Sequence, residues 1–413
     1  MRWLLIVSLA IASCGDSAPS IDAAGNDARI SGCANFMQHH PVCPNTCGNG
    51  TIDTCSTLHP GKTGCIELVT TEACDGATFT CESLGYFGGT SSCTSTCTRD
   101  TRNCTACLVG GAIASCETIA GTSSFTMVSN ADEQALLIGS EIYQRSGGVL
   151  VRTATPPITF YDRVVGVAGG WLVSNSSQLR AVNTAGAIIG TKTLPSTSVE
   201  MTFGAGGRVL IGWIVVVGAQ YRTAIMIVDP IGDTIVAQHQ VPITMPSARF
   251  ALGSDGTSFF LATEDALVRL NADGDVVSQS PAPSAGAAVV AIAANAQSRW
   301  LVRTGSAGYS VIPFDAGGAL AAPIPVAFGA PGTELAAWTA RGTNLFVRAY
   351  ESHVDDTGHN PAPTQTVLRI ASDGAIVARP TVAGINGTLA VLGPDLLLGW
   401  TVDDTRHIAV ITP

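Results

Sequence analysis

The chain has 413 residues, of which 46% are hydrophobic and 13% charged, and its formal net charge is −10 at pH 7. This balance argues against nucleic-acid binding and against a polybasic membrane patch, because both need clustered Lys and Arg. Small and β-branched residues and 45 glycines indicate an all-β protein. The apolar run VLIGWIVVVGA, 209–219, is shorter than the roughly 20 residues of a membrane-spanning helix and predicts a buried strand.

Residues 1–13 have the form of an export signal, in which Arg2 precedes a short apolar segment. The segment ends in Ile11-Ala12-Ser13, and these three residues together with Cys14 resemble a bacterial lipobox. The resemblance implies cleavage before Cys14, lipidation of its sulfur and a membrane anchor made of acyl chains. Because Gly15 stands where an inner-membrane retention signal has aspartate, we expect the outer membrane, facing the cell surface. An ordinary signal peptide followed by an unrelated cysteine is the alternative.

All 13 cysteines lie at or before position 116. Setting aside Cys14 leaves an even number, which predicts six disulfides in an oxidising compartment. Residues 14–32 are small and polar and form the lipidated cysteine and a flexible tether, and residues 33–107 form a module in which disulfides replace a core. Zinc binding at CTAC, 104–107, is the alternative. The cysteines predicted to form disulfides are Cys33, Cys43, Cys47, Cys55, Cys65, Cys74, Cys81, Cys93, Cys97, Cys104, Cys107 and Cys116.

Part of this module resembles a known family. The tetrapeptide CGNG at 47–50, followed by EACDGATFTCESLGYFGGTSSCTSTCTRDTRNC at 72–104, is similar to the disulfide-rich repeat of myxobacterial surface proteins. The resemblance implies an extracytoplasmic module without a catalytic residue. The matching cysteines are Cys47, Cys74, Cys81, Cys93, Cys97 and Cys104. Two further cysteines in a longer central stretch, Cys55 and Cys65, are expected to pair with each other.

A repeat begins after residue 120, in which a turn precedes a compact apolar strand. Seven such segments run from NADEQALLIGSE (130–141) to GPDLLLGWTV (393–402), about every 37 to 51 residues. Each follows one apolar strand and precedes two more strands, which are joined by a small-residue turn. Four antiparallel strands per repeat predict a β-propeller, whose blades must stack around an axis to bury their faces. We expect seven blades within residues 108–413, with six or eight as the alternatives.

The last repeat stops after its third strand, and its missing strand is expected upstream. The segment GAIASCETI at 111–119 parallels GAIIGTKTL at 186–194, which is a fourth strand in its own repeat. We therefore predict that 111–119 closes the ring as the outer strand of the last blade. A disulfide from Cys116 to the module, with Cys107 as the candidate partner, would then clamp the two domains.

The sequence contains no nucleophile elbow, zinc-protease helix or phosphate loop, so we predict no catalytic residue, no cofactor and no metal ligand. The densest polar cluster is HVDDTGHN, whose His353, Asp355, Asp356 and His359 have the chemistry of metal ligands, although a solvated loop is the simpler interpretation. Two segments that resemble calcium loops, NADGD and ASDG, fall on predicted hairpin turns.

The tryptophans of the repeat region are expected to pack between blades, and an aromatic carbohydrate platform is the alternative. They are Trp171, Trp213, Trp300, Trp338 and Trp400.

These features predict a non-enzymatic, lipid-anchored cell-envelope protein that binds or adheres through its propeller. Loops on a rigid ring suit a protein or glycan ligand. One alternative is an enzyme with its site at the channel mouth, which converging Asp, Glu or His side chains would support and a rim of Ala, Val, Ser and Thr alone would contradict. A periplasmic scaffold for envelope assembly is the other.

Overall fold

The chain divides into two compact units, Met1–Ser83 with Gly88–Cys104 and Leu84–Phe87 with Thr105–Pro413. In the smaller unit, one sheet pairs β1 (Thr54–Ser56) with β2 (Val69–Thr71), and a second contains β3 (Phe79–Thr80), β4 (Thr90–Cys93) and β5 (Arg99–Asp100). The computed structural model describes residues 54–56, 69–71, 78–81, 88–93, 99–100, 102–105, 107, 113–119, 126–158, 161–175, 177–230, 234–245, 248–283, 287–327, 333–351, 364–383, 385–402 and 405–411.

The larger unit contains seven four-stranded antiparallel sheets, which are the blades of a propeller. In each blade the strands are named A to D from the central channel outward, and the A strands of successive blades contact one another around the channel. The predicted seven-bladed β-propeller is therefore confirmed.

The first four blades follow the chain without interruption. Blade 1 consists of β7 (Met127–Ser129), β8 (Ala135–Ile138), β9 (Glu141–Ser146) and β10 (Val149–Ala154). Blade 2 consists of β11 (Arg163–Val167), β12 (Gly170–Asn175), β13 (Gln178–Asn183) and β14 (Ile188–Thr193). Blade 3 consists of β15 (Glu200–Phe203), β16 (Val209–Val217), β17 (Gln220–Asp229) and β18 (Thr234–Met245). Blade 4 consists of β19 (Ala251–Ser254), β20 (Phe259–Ala262), β21 (Ala266–Leu270) and β22 (Val276–Pro281).

The last three blades complete the ring. Blade 5 consists of β23 (Ala288–Ala294), β24 (Arg299–Gly305), β25 (Gly308–Pro313) and β26 (Ile324–Val326). Blade 6 consists of β27 (Glu334–Arg341), β28 (Asn344–Glu351), β29 (Thr364–Ile370) and β30 (Ile376–Ala383). Blade 7 consists of β31 (Ile385–Leu392), β32 (Asp395–Val402), β33 (Thr405–Ile411) and β6 (Ile113–Ile119).

Blade 7 takes its outer strand from upstream of blade 1. Strand β6 pairs antiparallel with β33, and Cys116 lies opposite Ala409 in the register. The segment for which the sequence predicts ring closure thus lies at that edge of the last sheet. Pairing of this kind joins two distant parts of the chain in one blade, which leaves the ring without an open seam in its backbone hydrogen bonding.

The apolar core lies between blades, because each sheet must cover both of its faces. The B strands are the most buried elements; all four residues of β8 and all four of β20 are buried. Outer strands alternate instead, as in β14, where every second residue is exposed. One cluster joins Leu172 and Leu179 of blade 2 to Ile211 and Trp213 of blade 3. This pattern explains why a compact apolar strand after a turn marks each repeat.

Four of the tryptophans are buried in the blades, and three of these, Trp171, Trp213 and Trp300, lie in apolar clusters shared by neighbouring blades, as predicted. The four are Trp171, Trp213, Trp300 and Trp400, each at most 5% exposed. The indole nitrogen of Trp171 donates a hydrogen bond of 2.9 Å to the carbonyl of Val128 in the neighbouring blade. The fifth, Trp338, packs against the apolar cluster between blades 5 and 6 and also lines the cavity at one end of the channel.

The prediction of a wholly buried strand at 209–219 is wrong for its second half. Residues 209–213 are buried, but Val216 is 65% exposed and Val217 is 42% exposed. Strands β16 and β17 pair along the whole of β16, up to Val217 opposite Gln220, and the tip of this hairpin extends past the packed part of the ring. Among the described residues, no helix is long and apolar enough to cross a membrane.

Candidate binding site at the channel mouth

One end of the channel opens into a cavity of about 670 Å³. Its walls come from the A strands of blades 1 to 6 and from the turns that join strands A and B, so we call this end the A–B mouth. Its lining includes small and hydroxylated residues such as Ser129, Gly166, Thr202 and Ser254. Gly166 is required at its position, because a Cβ would lie 1.8 Å from the carbonyl oxygen of Ser129. The size suits a ligand-binding cavity, which typically spans about 300–1,000 Å³.

Glu133 is the one titratable side chain among the described residues that line this cavity. It lies in the A–B turn of blade 1, and its backbone has φ of 54°, which is uncommon for a residue with a Cβ. The turn is held by Asn130, whose side-chain oxygen accepts hydrogen bonds of 2.9 Å from the backbone N–H groups of Gln134 and Ala135.

Neighbouring blades fix the same turn from both sides. The N–H of Ala131 donates to the carbonyl of Val167 in blade 2 at 3.1 Å, and the N–H of Gly393 in blade 7 donates to the carbonyl of Glu133 at 3.0 Å. These bonds hold Glu133 in its strained conformation, with its side chain exposed at the mouth.

A β-bulge in blade 6 brings Trp338 to the opposite part of the lining. The pairing of β27 with β28 shifts between Ala336 and Thr339, and the intervening Ala337 has φ of 53°. A bulge redirects the side chain that follows it. Here it places Trp338 in the cavity wall, against Tyr309, with ring centroids 5.9 Å apart. The indole nitrogen of Trp338 is buried and has no hydrogen-bond partner among the described residues.

Glu133 and Ala337 are the two non-glycine residues with positive φ in the described part of the chain. Both lie at or directly beside the A–B mouth. Such conformations persist only where the surrounding structure imposes them, and they concentrate at functional sites. Their location is therefore the strongest pointer to function in this molecule.

The electrostatics of the mouth are set by Glu133 and Arg341. Although the Glu133 side chain is exposed, the protein atoms around its carboxyl group partly desolvate it and raise its pKa, and the nearby positive charge of Arg341 opposes that shift. One guanidinium nitrogen of Arg341 donates to the carbonyl of Gly393 at 3.2 Å, which fixes the side chain. The two residues share a recess of about 270 Å³ with Asn295 and Gln297. The mouth can thus offer one carboxylate, amides and an aromatic face to a ligand.

The structure shows part of the predicted disulfide set. Cys81 is bonded to Cys104, and Cys93 is also in a disulfide. Cys107 and Cys116 are thiols in this structure, so their pairing stays a prediction. The side chain of Cys55 and the positions of Cys14, Cys33, Cys43, Cys47, Cys65, Cys74 and Cys97 lie outside the described residues.

The sequence offers two kinds of candidate metal site, the polar cluster HVDDTGHN and the two segments that resemble calcium loops. His353, Asp355, Asp356 and His359 lie outside the described residues. Within the described ranges no three His, Cys, Asp or Glu side chains are grouped as metal ligands. The two segments that resemble calcium loops are hairpin turns, as predicted: in NADGD the side-chain oxygen of Asn271 accepts from the N–H groups of Asp273 and Asp275, both at 2.9 Å.

The fold and the A–B mouth define the chain as a seven-bladed β-propeller protein with an open cavity at one end of its channel. The sequence matches no protein-family model and no curated protein. Its strand pairing alone establishes the fold.

Several solved structures are similar to this chain. The WD40 domain of Neurospora crassa Pan2 is 12% identical, with a TM-score of 0.47 over 71% of this chain and 90% of that one. BBS1N, solved in complex with ARL6DN, is 14% identical, with a TM-score of 0.44 over 73% and 96%. The WD40 domain of SCAP from fission yeast is 9% identical, with a TM-score of 0.39 over 72% and 98%. No function is transferred from proteins this distant.

Sequence reasoning missed both Glu133 and the special position of Trp338. Glu133 follows NAD in a segment that reads as an ordinary turn, and its conformation depends on partners in blades 2 and 7. Trp338 lies on a strand that shows no glycine or proline to mark the bulge.

Proposed function

We propose that this chain is a binding protein that recognises a protein partner at its A–B mouth, and that it does so as an exported, lipid-anchored protein of the cell envelope. The observation that carries the proposal is the concentration of strained backbone, an exposed carboxylate and an aromatic wall around one cavity. The anchor and the outer-membrane location are supported by the lipobox-like sequence at Cys14, and the adhesive role by the tether that follows it.

The lining favours an extended peptide segment over a highly charged ligand. The small residue Gly166 and the hydroxyl-bearing Thr202 in the lining suit close approach of, and hydrogen bonding to, peptide groups. At the mouth the carboxylate of Glu133 lies near the positive charge of Arg341, so the preference for a partner segment that carries Lys or Arg rests on the net charge of −10 together with the exposed carboxylate.

An enzymatic role gains no support from the described lining. General acid–base catalysis needs at least one more positioned proton donor or acceptor near Glu133, and the remaining described residues of the cavity are small, hydroxylated, aliphatic or aromatic. The rim is nevertheless not the simple Ala, Val, Ser and Thr surface that the sequence-based test described, because Glu133, Phe203 and Trp338 are part of it.

Selection of displayed random peptides on the immobilised mature protein tests the proposal. We expect enrichment of sequences that contain Lys or Arg, and Kd values that rise at least fivefold for the variant E133Q. Gln keeps the shape of Glu133 and removes its charge. The variant therefore loses one ion pair across an exposed interface, which is worth about 1 kcal/mol and corresponds to the fivefold change in Kd.

The matched control is D373N. Asp373 is exposed in an outer turn of blade 6, where its side chain accepts from the N–H of Ala375 at 2.9 Å, and Asn retains that acceptor. D373N changes the net charge as E133Q does, so it should leave binding unchanged. Equal losses in the two variants would indicate non-specific attraction, and enrichment from a glycan array in place of peptides would replace the protein partner with a carbohydrate.

A further inference from the structure

The hairpin of β16 and β17 projects from the end of the propeller opposite to the A–B mouth. Neighbouring strands of a blade are antiparallel, so the turn between strands B and C lies at the far end from the turns between A and B. Pairing of β16 with β17 continues to Val217 and Gln220, whereas its pairing with β15 ends at Gly212. Residues 213–217 of β16 therefore extend beyond β15.

The tip of this hairpin is apolar on both of its faces. Successive residues of a strand point to opposite faces of the sheet. Val216 is 65% exposed and Val217 is 42% exposed, so the rest of the protein covers neither face. Tyr221, directly opposite Val216 in the register, is 39% exposed. A protein surface that packs on a sheet covers one face, whereas lipid around an inserted hairpin covers both, and this exposure therefore favours lipid.

The charges around the tip differ from those of the whole chain. The net charge is −10, yet no Asp or Glu occurs at 201–228 or at 234–254. Arg222 lies opposite Val215 in the register, and Arg249 lies in the connection between blades 3 and 4. Within the described ranges neither arginine has an acidic partner. The guanidinium group suits phosphate oxygens, so these charges complement a phospholipid headgroup.

A recess of about 270 Å³ at the base of the hairpin adds to this surface. Its lining includes Arg249, Ser198 and Ile214, which combine a positive charge, a hydroxyl and an apolar wall. Glu200 also lines the recess, but its carboxylate lies 2.9 Å from a guanidinium nitrogen of Arg163. The recess thus has the polar groups that a headgroup phosphate needs.

The length of the tip matches the depth of the membrane interface. A strand rises about 3.4 Å per residue, so Gly218 at the turn lies about 10 Å beyond Val215 and its partner Arg222. Elements that rest in the interface reach about 5–10 Å into the boundary between headgroups and acyl chains. Arg222 would therefore remain at the headgroups when the turn is inserted, and Tyr221 would lie between the two, where its amphipathic ring is favoured.

We propose that this hairpin tip inserts into the phospholipid surface to which the chain is anchored. Val216 and Val217 enter the acyl boundary, and Arg222 and Arg249 bind the phosphates. The inference rests on the proposed anchor at Cys14, which brings the protein to a membrane. Insertion of the tip directs the opposite end of the propeller, with the A–B mouth, away from the lipid and towards its partner.

Vesicle flotation of the mature chain carrying C14S tests the contact in the absence of acyl chains. The probe is a vesicle of phosphatidylethanolamine and phosphatidylglycerol. We expect C14S protein to float with the vesicles, and V216D/V217D to lower the bound-to-free ratio about tenfold or more, because two carboxylates would have to leave water. Y221W should raise the ratio about twofold, because tryptophan presents a larger amphipathic ring to the interface.

The matched control is V276D/V277D. Val276 and Val277 are also consecutive exposed valines, 45% and 51%, but they follow the turn with Asp273 and Asp275 at the mouth end of blade 4. This variant adds the same two charges and should leave flotation unchanged. All four valines are exposed, so both double variants should unfold at the urea concentration of the parent.

Three results would overturn the proposal: no flotation of C14S protein, equal losses in the two double variants, or a tip-dependent dimer in solution in place of flotation. Peptide binding at the A–B mouth separates this proposal from the function proposed above, since V216D/V217D should bind selected peptides as the parent does. Loss of peptide selection with tip-dependent flotation intact would refute the binding function alone and support the hairpin contact.

Discussion

Arg406 and Glu141 form an ion pair across the seam where the ring closes. A guanidinium nitrogen of Arg406, on β33 of blade 7, lies 3.3 Å from a carboxylate oxygen of Glu141, on β9 of blade 1. The Arg406 side chain is only 3% exposed. Glu141 also accepts hydrogen bonds from Tyr143, at 3.0 Å, and from Arg152, at 2.6 Å. The carboxylate is thus the centre of a small network that joins the first blade to the last.

Removing this carboxylate should destabilise the propeller. In E141Q the buried guanidinium of Arg406 loses the charge of the Glu141 carboxylate, and we expect the free energy of unfolding to fall by about 2–4 kcal/mol. Urea unfolding followed by tryptophan fluorescence measures it, since the tryptophans after the signal region all lie in blades. The control is E200Q, because the pair of Glu200 with Arg163 is 53% and 41% exposed and should contribute less than about 1 kcal/mol. Similar losses in both variants would contradict a special role for the seam.

Asp255 should make stability depend on acid pH. Its carboxylate is fully buried and accepts hydrogen bonds from Thr257, Ser258 and, at 2.5 Å, from Arg299 of the next blade. Burial alone raises the pKa of Asp255, but these hydrogen bonds outweigh it, and the pKa lies below its usual value.

A lowered pKa in the folded state means that the unfolded chain binds more protons in acid. The stabilisation by Asp255 is therefore complete above the unfolded pKa of about 3.9 and is lost as the pH falls through the folded pKa. D255N should be less stable than the parent at pH 7, and the difference should shrink towards pH 3. D373N, at an exposed turn, serves as the control in the same denaturation series. A constant difference at every pH would show that the ionised form of Asp255 is not what stabilises the fold.

The bulge at Ala337 yields a paired glycine test. Because Ala337 has φ of 53°, glycine should relieve strain there, and A337G should be more stable than the parent by about 0.5–1 kcal/mol. Ala340 lies in the same strand and has no positive φ, so A340G should lose about 0.5–1 kcal/mol. Thermal or urea unfolding measures both changes. A gain in the free energy of unfolding for A337G and a loss for A340G would verify the backbone strain at Ala337, whereas a loss in both variants would refute it.

The sequence predicts the repeat well because each blade obeys local rules. A turn followed by a fully buried strand, as at Phe259–Ala262, recurs in every unit, so the periodicity reveals both the strand type and the number of blades. The closing strand is readable for the same reason, since its residues resemble other fourth strands. Asx turns such as the one at Asn271 are equally local.

The mouth is not readable in this way, because its features depend on residues far apart in the chain. The turn that contains Glu133 is held by backbone hydrogen bonds to Val167 in blade 2 and to Gly393 in blade 7. The residues next to Glu133 in the sequence give no indication of either hydrogen bond. The exposed tip of β16 was missed for a related reason. Val216 looks like core in an apolar run, but the strand is longer than the blade that packs around it.

The anchor is tested by changing Cys14. In C14S we expect loss of acyl labelling, and the protein should move from the detergent phase to the aqueous phase in detergent partitioning. Two long acyl chains hold a protein far more firmly than hydrophobic contacts of a tether can. Protease treatment of intact cells then locates the propeller. Loss of the propeller on whole cells supports surface display, whereas protection until the outer membrane is permeabilised would favour a periplasmic role.

Ring closure also determines when the protein can finish folding. Thr118 of β6 and His407 of β33 are partners across 289 positions of sequence. During synthesis or export from the N-terminus, β6 therefore emerges long before β33 and must wait with unsatisfied backbone groups. Such delayed, long-range pairing slows folding and exposes strand edges to intermolecular pairing. The protein should thus depend on chaperone protection until its last blade arrives, and chains shortened before Thr405 should aggregate.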